Sequence, residues 1–198
     1  SRILDNIRDS LKDMEFTEKS INSLLEILEA NLSFVPSSTD SSQLCDISLF
    51  DHMKITAAIA SAVYDYAKAQ QTADYKNTFY SKGNAFYEEK AFLLCSMDIS
   101  GIQNFIYTIA ASKALKNLRA RSFYLELMME HIVDQLLNEL ESTRANLLYT
   151  GGGHAYLLLP NTENCKTAIT EFHKKLNQWF MDNFGTDLYM AIGYTACS

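Results

Sequence analysis

Gly151, Gly152 and Gly153 stand together between two apolar stretches and are followed by His154. Glycine leaves its backbone N–H unobstructed by a Cβ, which suits close approach of a phosphate or a base. A tight hairpin that needs positive φ would use glycine equally well. His154 could stack on a base or hydrogen-bond to it, or sit at a hairpin end satisfied by water. A second candidate is Asp98, which closes a short apolar run and leads into Ile99, Ser100 and Gly101. Its carboxylate could ligate a metal ion, or cap a following helix by accepting N–H bonds around Ser100 and Gly101. A third is a cluster of cations, Lys113, Lys116, Arg119 and Arg121, which could pair with phosphates or form a solvated helix face. Asp51 and His52 form a fourth candidate. Asp51 with Ser48 suits a helix N-terminus, where an acid favours the dipole, and His52 could bond between helices.

The elements that must hold these residues can be read from periodicity. Ala91–Met97 is an apolar run of strand length, followed by a helical pattern through Ala110. Leu115, Leu118, Leu125, Met129, Ile132, Leu136 and Leu140 continue one long amphipathic helix. Asn146–Tyr149 and His154–Leu159 form a hairpin around the glycines, Ala168 to Phe180 reads as a helix, and Leu188–Tyr194 supplies a final strand. The order is strand, helix, strand, strand, helix, strand. It predicts an α+β, ferredoxin-like (βαββαβ) fold with two helices on one sheet face. In that topology the first strand, ending at Asp98, should neighbour the hairpin strand ending near Gly151, so that both features share one edge.

The first half reads as helical. Thr17 is the expected N-cap of a helix, with Phe16 and Ile21 at the staple positions and Ile21, Leu24, Leu25 and Leu28 at helical spacing. That helix should end before Pro36, residues 36–43 should form a loop, and Ser48 to Gln70 should form a second helix rich in Ala and Ser. Residues 71–88 show no clear period and mark the expected boundary, giving a helical region over 1–85 and an α+β domain over 86–198.

The chain has 198 residues and a net charge of −7, which argues against non-specific coating of nucleic acid, a mode that neutralises many phosphates with Lys and Arg. Hydrophobic residues make up 47%, with no run near the roughly 18 residues of a membrane helix and no signal-peptide pattern. Cys45, Cys95, Cys165 and Cys197 are too scattered for a Cys-x-x-Cys zinc site or a disulfide framework, which fits a reducing, cytoplasmic setting. No membrane partner is expected.

In palm-type polymerases and cyclases, carboxylates from the first strand and the hairpin hold two metal ions. These activate the attacking hydroxyl and stabilise the leaving pyrophosphate. Here His154 and Ala155 occupy the acidic positions of the hairpin, and magnesium prefers oxygen ligands. The palm site of this chain is therefore not expected to perform nucleotidyl transfer alone.

Three segments carry a more specific likeness: Ser-Met-Asp-Ile-Ser-Gly-Ile-Gln-Asn-Phe-Ile-Tyr (96–107), Ser-Lys-Ala-Leu-Lys-Asn-Leu-Arg-Ala-Arg-Ser-Phe-Tyr-Leu-Glu (112–126) and Leu-Leu-Tyr-Thr-Gly-Gly-Gly-His-Ala-Tyr-Leu-Leu (147–158). They resemble the large subunit of type III CRISPR effector complexes, most closely the type III-A (Csm) form. The likeness runs from about residue 33 to the C-terminus and is strengthened by residues 48–60. It implies a longer protein, with an N-terminal HD nuclease domain that cleaves single-stranded DNA, two palm domains, a zinc-binding insertion and a helical C-terminal domain. In that family target RNA switches on both the DNase and the conversion of ATP to cyclic oligoadenylate. The cyclase carboxylates lie in a Gly-Gly-Asp-Asp motif of the second palm. Neither that motif nor the His-Asp pair of the nuclease occurs in this sequence. The resemblance thus implies an internal fragment, covering the end of the HD region and the first palm, with no catalytic residues of its own.

The resemblance further implies two palms packed face to face, each holding an ATP. Asp98, Ser100, Gly101, Gly151, Gly152, Gly153 and His154 would then line one ATP pocket, with Lys113 or Arg119 as phosphate partners. Mg or Mn would be held mainly by the second palm. His52, followed by Ile55-Thr56-Ala57-Ala58, resembles the first-helix histidine of HD phosphohydrolases and could belong to a divalent transition-metal site. Implied partners are the other type III-A subunits, the crRNA 5′ end, target RNA and, through the HD domain, single-stranded DNA. Three readings follow: a nucleotide-binding half-site of a cyclic-oligoadenylate synthase, a scaffold that docks neighbouring subunits, and part of a metal-dependent HD nuclease.

Overall fold

A computed structural model describes residues 2–17, 20–40, 42, 46–107 and 114–198. In chain order its elements are α1 (Arg2–Leu11), α2 (Ile21–Leu32), α3 (Leu49–Ala69), a π-helical turn at Asn77–Ser81, the short α4 (Gly83–Phe86), β1 (Phe92–Ser100), α5 (Ile102–Tyr107), α6 (Ala114–Glu139), a 3-10 turn at Arg144–Asn146, β2 (Leu147–Gly151), β3 (His154–Pro160), α7 (Glu163–Phe184) and β4 (Tyr189–Cys197). The four strands form one antiparallel sheet in the order β2-β3-β1-β4. With α6 and α7 as the two crossover helices, this is the expected ferredoxin-like α+β arrangement.

Burial along β1 alternates. Leu93, Cys95, Met97 and Ile99 are buried while Leu94 and Ser96 are exposed, the period-two signature of a sheet covered on one face. The covered face meets Leu125, Met129, Ile132, Val133 and Leu136 of α6 and Ile169, Phe172 and Phe180 of α7, with Ala155, Leu157, Leu159 and Met190 closing the core. Each fully buried side chain of this size contributes roughly 1.5–3 kcal/mol relative to exposure. Helix α7 starts where Thr162 accepts the Cys165 N–H at 3.1 Å and stops at Gly185, whose φ of +60° lets its N–H return to the Met181 carbonyl at 3.0 Å. Its Asn177 both donates to and accepts from the Met190 backbone at 2.8 Å, covering part of the β4 edge.

Several expectations are corrected. The α2 helix begins at Ile21 rather than just after Thr17: Thr17 and Ser20 instead close a turn on each other, and Phe16 is 68% exposed, so it forms no staple. Helix α5 ends its described span at Tyr107 and α6 begins at Ala114, so the helical pattern expected through Ala110 lies partly outside the described residues. Asn146 ends the turn before β2 rather than opening the strand. Helix α3 also packs against β3 and β1, a contact that the helical pattern did not anticipate. Ser48 caps α3 by accepting the Asp51 N–H at 3.0 Å and donating to the Asp51 carboxylate at 2.7 Å, as the helix-terminus reading expects. No helix among the described residues is long and apolar enough to cross a membrane.

Candidate functional site

The neighbour of β1 on the hairpin side is β3, not the strand that ends at Gly151. In this topology the second hairpin strand returns to the centre and leaves β2 at the edge. That correction brings the candidates closer, because Asp98 is now the direct cross-strand partner of His154, the first residue of β3. His154 Nδ1 lies 3.0 Å from Asp98 Oδ1, and Ser100 Oγ donates to Asp98 Oδ2 at 3.2 Å. The carboxylate is thus engaged by side chains from within the sheet rather than capping α5. The two side chains are 42% and 54% exposed, and a pair at that exposure contributes about 0–1 kcal/mol. The fold does not depend on it. What it offers is a polar, solvent-facing edge with two acceptors and a ring held in place.

The glycines divide the remaining work. Gly101, at φ +93°, packs so tightly that a Cβ would overlap the carbonyl oxygen of Asp187, just before β4. Gly153, at φ +87°, would drive a Cβ into Ile102 Cδ1, and its carbonyl accepts the Ile99 N–H at 2.9 Å, carrying the β1–β3 ladder to the tip. Gly152 differs. Its φ is +61°, as the turn requires, but a Cβ there would meet nothing within 4 Å. Gly151 faces the Tyr149 ring, whose hydroxyl would lie 2.7 Å from a Cβ. Turn geometry therefore accounts for positive φ at two positions, while the open side of Gly152 leaves room for a group to approach the backbone.

The other candidates are not gathered here. Lys113 lies outside the described residues. Arg119 is exposed on the second turn of α6 and makes no hydrogen bond or ion pair with Asp98, Ser100 or His154. Arg121 donates to the Phe105 carbonyl and lies over the Phe105 ring at 5.1 Å, so this cation packs α6 onto α5. His52 is exposed on the first turn of α3. Among the described residues no three His, Cys, Asp or Glu side chains come together as a metal cage. One carboxylate, already held by a histidine and a serine, does not fit the oxygen-rich site that two magnesium ions need.

Sequence reasoning overlooked the base of the hairpin. Asn146 is the buried polar side chain among the described residues, 1% exposed. Its amide donates to the Leu158 carbonyl (2.9 Å), Ser61 Oγ (3.0 Å) and the Ala58 carbonyl (3.4 Å), and its Oδ1 accepts from Ser142 Oγ (3.0 Å) and Ser61 Oγ (3.2 Å). Beside it Arg144 bridges Glu130 and Asp134, each at 2.7 Å, and these contacts hold its guanidinium charged. A lone Asn at the head of an apolar run carries no signal in sequence.

A family model described as Csm1 subunit domain B matches residues 91–198. The chain belongs to the Csm1 family. It is 50% identical over 191 residues to the CRISPR system single-strand-specific deoxyribonuclease Cas10/Csm1 (subtype III-A) of Mycobacterium tuberculosis, covering 96% of this chain and 24% of that protein. The Streptococcus thermophilus protein of the same description is 52% identical over 192 residues, covering 97% of this chain and 25% of its own length. The chain thus spans about a quarter of these relatives. A crystal structure of a Csm1-Csm4 cassette in complex with pppApA superposes with a TM-score of 0.82 at 34% identity, over 100% of this chain and 26% of the other. A Csm1-Csm4 cassette in complex with one ATP superposes with a TM-score of 0.79 at 36% identity, over 100% and 25%.

Proposed function

We propose that residues 86–198 are the first palm of a type III-A CRISPR large subunit and bind one ATP as the non-transferring half of a cyclic-oligoadenylate synthase. Residues 1–85 are then the C-terminal part of its HD region. The observation that carries this reading is the open tip at Gly152 directly beside the Asp98–His154–Ser100 cluster. A phosphate can approach the Gly152 backbone, while Asp98 and Ser100 offer acceptors and a hydroxyl to a ribose or base, and His154 offers a ring face. Csm1-Csm4 structures of the same fold carry pppApA or ATP, which supports a nucleotide as the ligand. Transfer belongs to the acidic motif of the second palm, because the donor set here lacks the second carboxylate. Mg or Mn would be supplied there. Lys113 and Arg119 are the proposed phosphate partners.

The scaffold reading is compatible and has its own support. Leu115, Phe123 and Leu127 of α6 are 65%, 61% and 53% exposed along one helix face, an apolar ridge suited to a neighbouring subunit such as Csm4. The crRNA 5′ end and target RNA enter through that assembly, and single-stranded DNA through the HD region, to which His52 would contribute a metal ligand.

The test is ATP binding to the full-length protein with Gly152→Val. Filling the open side of the tip should weaken occupancy of this pocket about tenfold or more while leaving assembly with partner subunits intact. Unchanged affinity in a well-assembled variant would refute the half-site.

A further inference from the structure

The β2–β3 hairpin carries an irregularity near its base. The register shifts between Leu147 and Tyr149, so regular pairing resumes only at Tyr149–Tyr156 and runs to Gly151–His154. Such a bulge weakens the pairing that fixes which residue faces which, and a one-residue slip would move Gly151 away from His154 and reverse the facing of every β2 side chain. Something other than the ladder must hold the register. Asn146 is placed to do so: it precedes the first residue of β2, and its amide donates to the Leu158 carbonyl of β3 at 2.9 Å, bridging the two strands just below the irregularity.

The same side chain reaches a third element. Its amide also donates to Ser61 Oγ and to the Ala58 carbonyl of α3, and its Oδ1 accepts from Ser61 Oγ and from Ser142 Oγ, which follows α6. Ala58 and Ala62 are both fully buried, so α3 packs closely enough against the hairpin base for these bonds of 3.0–3.4 Å to form. Helix α3 is continuous from Leu49 to Ala69 and carries His52 in its first turn. Nine residues of helix, about 13 Å, separate His52 from Ser61.

We infer that Asn146 is a positioning residue that keys the register of the glycine hairpin to helix α3, so that the nucleotide pocket keeps its shape only while α3 is docked. The device rests on the half-site proposed above. It acts through the strands, since Asn146 itself lies at the opposite end of β2 from Gly151. Because coupling between sites is reciprocal, a nucleotide seated at the tip tightens α3, and a shift of α3 loosens the tip. The helical region and the palm would then report on each other through one buried amide.

The experiment uses the full-length protein in its effector complex and compares Asn146→Ala with the milder Ser61→Ala, which removes only the α3 side-chain link and leaves the Leu158 bond. Hydrogen exchange is read at residues 150–156 and in α7, together with ATP affinity. Ser61→Ala should speed exchange at 150–156 and weaken ATP about three- to tenfold, with α7 unchanged; Asn146→Ala should do both more strongly. If Asn146→Ala does not fold, Ser61→Ala alone decides. Wild-type exchange at 150–156 and wild-type ATP affinity in folded Ser61→Ala overturn the inference. Failure of the wild-type pocket to bind ATP sinks the half-site instead, and the exchange arm still decides the register lock.

Discussion

At its base the β2–β3 hairpin is closed by Asn146, 1% exposed and bonded to α3, to β3 and to the turn after α6, whereas at its tip Gly152 has nothing within 4 Å of where a Cβ would stand. One short ladder joins the two ends. The base has the marks of a structural site: a buried polar group with its hydrogen-bonding capacity used, beside an arginine held by two carboxylates. The tip has the marks of a binding site: left-handed backbone, half-exposed charge and open space. A fold that spends its buried polar interactions at one end can leave the other accessible without losing its register.

The sharpest way to break this contrast compares the packed glycine after β1 with the open glycine of the hairpin tip. Gly101→Val should destabilise the domain by about 3 kcal/mol or more, because φ +93° and the Asp187 carbonyl both reject a side chain, whereas Gly152→Ala, facing open space, should cost only about 1 kcal/mol. Urea unfolding of the two variants checks this, and equal losses would show that Gly152 is as tightly packed as Gly101 rather than open.

A smaller effect tests the closed side of the sheet. Burial lifts the Cys95 thiol from its ordinary 9.0 to about 12 and the Cys165 thiol from 9.0 to about 11. Both folded values exceed the unfolded ones, so the stabilisation is fully present below about pH 9 and is lost as pH rises through the window toward 11 and 12. Thermal unfolding temperature should accordingly decline above pH 9, and Cys95→Ala with Cys165→Ala should flatten part of that decline. A slope that is identical in the double variant would mean that these thiols are not shielded as described.

How far the sequence was legible follows the same division. Strand and helix order could be read because β1 alternates with period two and α6 and α7 with the helical period, and both patterns come from burial against one shared core. The glycines of the hairpin tip were legible because positive φ and close approach select glycine locally, whereas the direct pairing of Asp98 with His154 was not. Which hairpin strand lies beside β1 was misjudged, since strand order is a property of the whole sheet and not of any segment. Asn146 and Ser61 were invisible for a related reason: they are 85 residues apart, and nothing local marks an asparagine whose partners come from α3. Arg121 shows the converse error, a cation that reads as part of a basic face but packs over Phe105.

The central claim, that this palm holds a nucleotide of its own, is tested most directly by counting. The full-length protein, with the acidic pair proposed for its second palm neutralised to block turnover, should bind two ATP per subunit by calorimetry. With Gly152→Val added it should bind one. Two ATP bound with unchanged affinity in the Gly152→Val protein would contradict the account.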